Sequence, residues 1–160
     1  MSNKEKHSKT WFVDIDGTIL KDKSNKEIDD IIAKYGYDSH LQEQPLPDAI
    51  DFFRNLPKRD RIILTTAREI YHKDHTIKAI EHYKMPYDDY IFELGSGPRV
   101  VVNDIKPAHT SGNEKDLDTA YAINVIRDGG IDISYQYRNI ESNYNHQMSG
   151  EGQIKQLIQE

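Results

Sequence analysis

The sequence predicts an α/β fold with a mostly parallel central sheet, and three observations lead there. Residues 11–15 (WFVDI) and 61–65 (RIILT) are short apolar runs that read as buried strands. Stretches of helical periodicity separate the main strand candidates and are long enough for the crossovers that parallel strands require. The strand candidates also finish in small, polar or acidic residues on one side, as they would if several loops shared one sheet edge.

The elements follow in order. Residues 1–9 form a polar leader with no apolar stretch, which argues against a secretory signal. The run 11–15 reaches Asp16-Gly17-Thr18, a turn sequence. Residues 21–44 are polar and mixed, with a short helix expected over 27–35 and stopped by Gly36. A second helix is expected over 47–56, with Pro47 in its first turn and Ala49, Ile50, Phe53 and Leu56 at helical spacing. After the strand at 61–65 a third helix should span 69–83 and end before Met85-Pro86. Residues 90–94 and 99–103 are further strand candidates, with only Gly95-Ser96-Gly97-Pro98 between them. That gap is too short for a parallel crossover, so the two pair as an antiparallel hairpin or one lies outside the main sheet. A last apolar run, 120–126, precedes Gly129-Gly130, and from residue 132 a polar tail follows, with a terminal helix near 153–159.

Composition narrows the function. The 160 residues suit one domain, and a net charge of −6 argues against nucleic-acid binding through a basic surface. No run is long enough for a membrane span. The absence of cysteine excludes disulfides and thiolate metal sites and suits a reducing cytoplasm.

The chemistry concentrates at Asp14-Ile15-Asp16-Gly17-Thr18. Residues i and i+2 of a strand project to one side, so Asp14 and Asp16 converge where the first strand ends. Two such carboxylates repel, and a hard divalent cation with oxygen ligands relieves the conflict. Thr65, Thr66 and Arg68 end the second strand, and Asn103, Asp104 and Lys106 end another. Arg68 is expected either to touch a substrate or to form a surface ion pair. His72, His75 and His82 share one predicted helix and are expected on its solvated face.

WFVDIDGTIL resembles the first motif of the haloacid dehalogenase (HAD) superfamily phosphatases, LTTAR is similar to their second, and VVVNDIKP to their fourth. The resemblance spans residues 11–107, in the family's order. It implies a Rossmann-like three-layer sandwich with a mostly parallel central sheet. The catalytic domain would cover 10–131, with a small cap or flap insert at 21–44 and the tail at 132–160. It further implies that Asp14 is the nucleophile, that Asp16 is the general acid and base, and that Thr66 binds the phosphoryl group. Mg2+ would be held by Asp14, the main-chain carbonyl of Asp16, and Asp104. The expected activity is phosphomonoester hydrolysis through an aspartyl-phosphate intermediate, on a small phosphorylated metabolite such as a sugar phosphate or on a polynucleotide 3′-phosphate end. The family's third-motif lysine has no match, which leaves Lys106, beside Asp104, and Lys84, before Pro86, as candidate phosphoryl-binding cations. Lys84 qualifies only if 90–94 runs antiparallel to 99–103. Arg99, at the start of its segment, points to the wrong edge. Two other readings compete: a receiver-like phospho-accepting signalling module, whose acids and Thr occur here in the wrong order, and a catalytically degenerate phosphate-binding relative.

Overall fold

The computed structural model describes residues 8–110 and 112–131. Of these, 8–97 and 125–131 form one compact unit, and 98–110 with 112–124 belong to a second. The first unit is a small α/β structure containing three parallel strands and three α-helices.

Strand β1 (Thr10–Asp14) pairs in parallel with β2 (Arg61–Thr65), which pairs in parallel with β3 (Asp89–Ile91). The register sets Asp14 opposite Thr65 and Thr65 opposite Ile91. Strand alternation sends Trp11, Val13, Ile62 and Leu64 to one face, where they meet Ala49, Phe52 and Phe53 in the core. The other face leaves Phe12 59% exposed and Ile91 41% exposed. Asp60 secures the start of the sheet: its carboxylate accepts from the Lys9 amide and from the Trp11 indole, both at 2.9 Å.

Helix α1 (Asn25–Tyr35) starts on a capping box. Ser24 Oγ accepts from the Glu27 amide at 3.1 Å while Glu27 Oε2 accepts from the Ser24 amide at 2.6 Å. Gly36, at φ 58, stops it as expected, and a 3-10 stretch (Gly36–Gln42) carries the chain to Glu43. Helix α2 (Ala49–Asn55) is shorter than the 47–56 expected, because Asp48 takes a left-handed φ of 63 and breaks the first turn. The segment expected as one helix over 69–83 divides into a 3-10 turn (Ile70–His72) and α3 (Lys73–His82). It ends ahead of Met85-Pro86, since Lys84 already has φ 57.

The hairpin alternative for residues 90–103 is corrected. β3 is parallel to β2, and among the described residues 99–103 and 120–126 form no strand. Val100, Val101 and Val102 are 60, 61 and 88% exposed, and among the described residues no neighbouring strand satisfies their backbone. Among the described residues of the second unit Lys106 pairs with Leu117 through the main chain in both directions, at 2.9 and 2.8 Å. The segment 125–131 belongs instead to the first unit. Ile131 is buried there, and the Asp128 amide donates to the Gly17 carbonyl at 2.9 Å. The tail from 132 onward and its terminal helix lie outside the described residues. No helix among the described residues is long and apolar enough to cross a membrane.

Candidate functional site at the carboxyl edge of the sheet

The parallel register brings the ends of β1 and β2 side by side, so Asp14, Asp16, Thr65 and Thr66 gather at one edge. The turn after β1 is tight: the Ile15 carbonyl accepts from the amides of Thr18, Ile19 and Leu20, and Gly17 takes φ 77. A side chain at Gly17 would meet the Arg127 Cγ at 2.9 Å, so glycine serves both the backbone conformation and the close approach. Thr18 Oγ1 donates to Asp14 Oδ2 at 3.0 Å, which orients that carboxylate.

Asp16 is held more firmly. Arg68 Nε reaches its Oδ1 at 3.2 Å and its Oδ2 at 3.0 Å, and Arg68 Nη2 reaches Oδ1 at 2.7 Å. Thr66 Oγ1 lies 3.4 Å from Asp16 Oδ2 and accepts from the Arg68 amide at 3.0 Å. Thr66 thus shapes the turn that carries Arg68 and also faces Asp16.

Arg68 forms no surface ion pair; its partners are buried or part-buried with it. It is 1% exposed, and its Nη1 donates to Glu43 Oε1 at 2.8 Å and to Thr76 Oγ1 at 2.9 Å. Burial alone would lower its pKa, but the Asp16 hydrogen bonds and the charge of Glu43 outweigh that and raise it. Glu43 is in turn the hub of a second shell of contacts. Lys23 Nζ donates to its Oε2 at 3.1 Å and His75 Nε2 lies 2.8 Å from its Oε1. Burial pushes the Glu43 carboxyl up, yet His75, Arg68 and Lys23 together hold it down from 4.5 to about 2. Two acids, Asp16 and Glu43, therefore face two permanent bases, Arg68 and Lys23.

The histidines require a correction. His72 and His75 are buried, not solvated; only His82 is exposed as expected. His75 Nδ1 is 2.7 Å from Ser39 Oγ, and His72 Nε2 is 2.6 Å from Asp29 Oδ1. On α3 and its N-cap the positions 72, 75, 76, 79 and 80 make one helical stripe, and all are buried. Extending that stripe back from Ala79 and Ile80 would have placed both histidines inside. The run Ser39–His75–Glu43 has the residue types of a nucleophile, base and acid. Ser39 is only 4% exposed, however, and Glu43 is shared with Arg68, so the trio is an internal strut.

The remaining sequence candidates divide. Lys84 precedes β3, and because β3 runs parallel, Lys84 sits at the amino edge of the sheet, opposite Asp14. The hairpin that would have returned it to the carboxyl edge does not form among the described residues. Asp104 and Lys106 stand in the second unit; the Asp104 carbonyl accepts from Thr119 Oγ1 and Lys106 bridges Leu117. Among the described residues no group of three or more His, Cys, Asp or Glu gathers as a metal set.

Sequence reasoning missed Glu43 and Lys23 altogether. Glu43 sits in an irregular polar stretch, where no periodicity marks a buried position. The comparisons add no relative to this geometry: no protein-family model, no curated protein and no solved structure matches the chain.

Proposed function

We propose that the chain is a magnesium-dependent phosphomonoesterase of the HAD type, with Asp14 as nucleophile, on a Rossmann-like three-layer fold. The observation that carries the reading is the pair Asp14 and Asp16 at the carboxyl end of β1, in register with the end of β2 and with Thr66 beside Asp16.

In this mechanism Asp14 attacks phosphorus and the bond to the ester oxygen breaks. Asp16 gives its proton to the departing oxygen, so the alcohol leaves neutral. Asp16 then takes a proton from water, whose oxygen attacks the same phosphorus. The bond to Asp14 breaks, releasing inorganic phosphate and restoring the carboxylate. Thr66 contributes a hydroxyl near the phosphoryl oxygens.

The donor chemistry fits magnesium, since Asp14 and the Asp16 carbonyl offer hard oxygen ligands. With its carboxyl group turned toward Arg68 and given over to proton transfer, Asp16 would bind the ion through the main chain. When bound, the ion would offset charge on the phosphoryl oxygens. A small phosphorylated metabolite, such as a sugar phosphate, is the substrate class proposed.

Hydrolysis of p-nitrophenyl phosphate, with magnesium and with chelator, tests the reading. Wild type should turn over with magnesium and stop with chelator, while a folded Asp14→Asn should lose at least a thousandfold, the amide being unable to attack. Asp14→Asn activity within tenfold of wild type would remove Asp14 as nucleophile.

A further inference from the structure

Arg68 ends LTTAR, where a phosphate-binding cation would be convenient, yet its hydrogen bonds are committed elsewhere. Nε and Nη2 grip Asp16, Nη1 holds Glu43 and Thr76, and the side chain is 1% exposed. The grip on Asp16 engages both oxygens, with Nη2 at 2.7 Å from Oδ1 and Nε at 3.0 Å from Oδ2. A planar guanidinium held at a second point transmits its orientation to the carboxylate it clasps.

That second point is Glu43, which lies beyond the 3-10 stretch of the insert between β1 and β2. Glu43 is fixed on every side: Lys23 at 3.1 Å and His75 at 2.8 Å reach its carboxylate, and the Tyr83 hydroxyl donates to its carbonyl at 2.7 Å. The insert is also tied down at its helix. Asn25 Oδ1 accepts from the Glu69 amide at 3.3 Å, and Asp29 meets His72 at 2.6 Å. Ion pairs buried this deeply stabilise a fold no better than apolar packing does, so stability alone is a poor reason for this arrangement.

We propose that Glu43 positions Asp16 through Arg68, which makes the insert part of the catalytic apparatus and not merely a flap beside it. The inference rests on the phosphatase reading, and Arg68 and Glu43 act in it as positioning residues that touch no substrate. Proton donation by Asp16 matters most when the leaving alcohol is a poor one. A misaimed Asp16 should therefore penalise alkyl phosphates far more than p-nitrophenyl phosphate, whose phenolate departs with little help.

The test compares kcat/KM for p-nitrophenyl phosphate and for an alkyl phosphate, with magnesium, in wild type, Arg68→Lys and Glu43→Gln. Circular dichroism and thermal melts confirm that each variant is folded. Both variants should lose at least tenfold more on the alkyl ester than on the nitrophenyl ester, with the loss in kcat. Thr76→Val, which removes one anchor of Arg68 while keeping its shape, gives a smaller skew of the same sign and serves if the other two do not fold. Equal losses on both esters, or no loss, would overturn the positioning role while leaving the phosphatase reading intact. A wild type inert toward both esters would overturn the phosphatase reading and the positioning role with it.

Discussion

Glu43→Gln is also the most informative perturbation of stability, because the same network makes its effect depend on pH. The amide keeps the shape of the carboxyl group but loses the charge that Arg68, Lys23 and His75 face. In the native protein the carboxyl is held at about 2 instead of 4.5. At ~1.4 kcal/mol per pH unit that depression is worth about 3 kcal/mol at neutral pH. A depressed carboxyl stabilises the fold fully above its unfolded value, and the contribution fades as pH falls toward the folded one. The gap between wild type and Glu43→Gln should thus be about 3 kcal/mol at pH 7 and narrow by about 1.4 kcal/mol by pH 3.5, since protonated Glu and Gln are near-isosteres. Urea unfolding at several pH values measures it, followed by fluorescence of the single tryptophan, Trp11. A gap below about 0.5 kcal/mol at pH 7, or one that does not change with pH, would refute the ionic account of Glu43.

Three further substitutions probe the frame around the site. Gly130→Ala should cost about 2 kcal/mol or more, since Gly130 has φ 80 and a methyl group there would lie 2.5 Å from the Pro47 carbonyl. Gly36→Ala, with φ 58 and nothing within 4 Å, should cost only about 1 kcal/mol, and equal losses in urea unfolding would rule out the clash. Asp60→Ala should destabilise by roughly 1–3 kcal/mol and shift Trp11 emission, because the Lys9 amide and the indole lose their acceptor. An unchanged emission maximum would show that the indole bond is not kept in solution.

What the sequence disclosed depended on periodicity. β1 and β2 are regular apolar runs, and their ends carry the acids and threonines, so the grouping of Asp14 and Asp16 with Thr66 was legible from the pattern alone. The end of helix α1 was legible from Gly36, because such a cap is local chemistry, whereas its start at the Ser24–Glu27 capping box was not read. The valines at 100–102 misled for the converse reason. An apolar run has strand propensity wherever it lies, but it becomes a strand only when a neighbour accepts its backbone, and that is not a local property. Glu43 and His75 were hidden because polarity was equated with exposure. Both are buried in company, each solvating the other, and only the three-dimensional meeting of the insert, α3 and Arg68 makes that possible.

The return of segment 125–131 to the turn after β1 has a consequence for the order of assembly. The Asp22 amide donates to Asp128 Oδ1 at 2.7 Å across 106 residues of chain, and the Gly17 carbonyl is bonded by the Asp128 amide. During synthesis the strands, the helices and the Arg68–Glu43 pair are all encoded before residue 98 and can form as they emerge. The turn bearing Asp14 and Asp16 must wait for Asp128 before its last backbone partner arrives. Closing so long a loop is entropically costly, so this latch should be among the last contacts to form on folding. A chain released before residue 128 would carry the acids and their anchoring arginine, with the turn that bears the acids still unlatched.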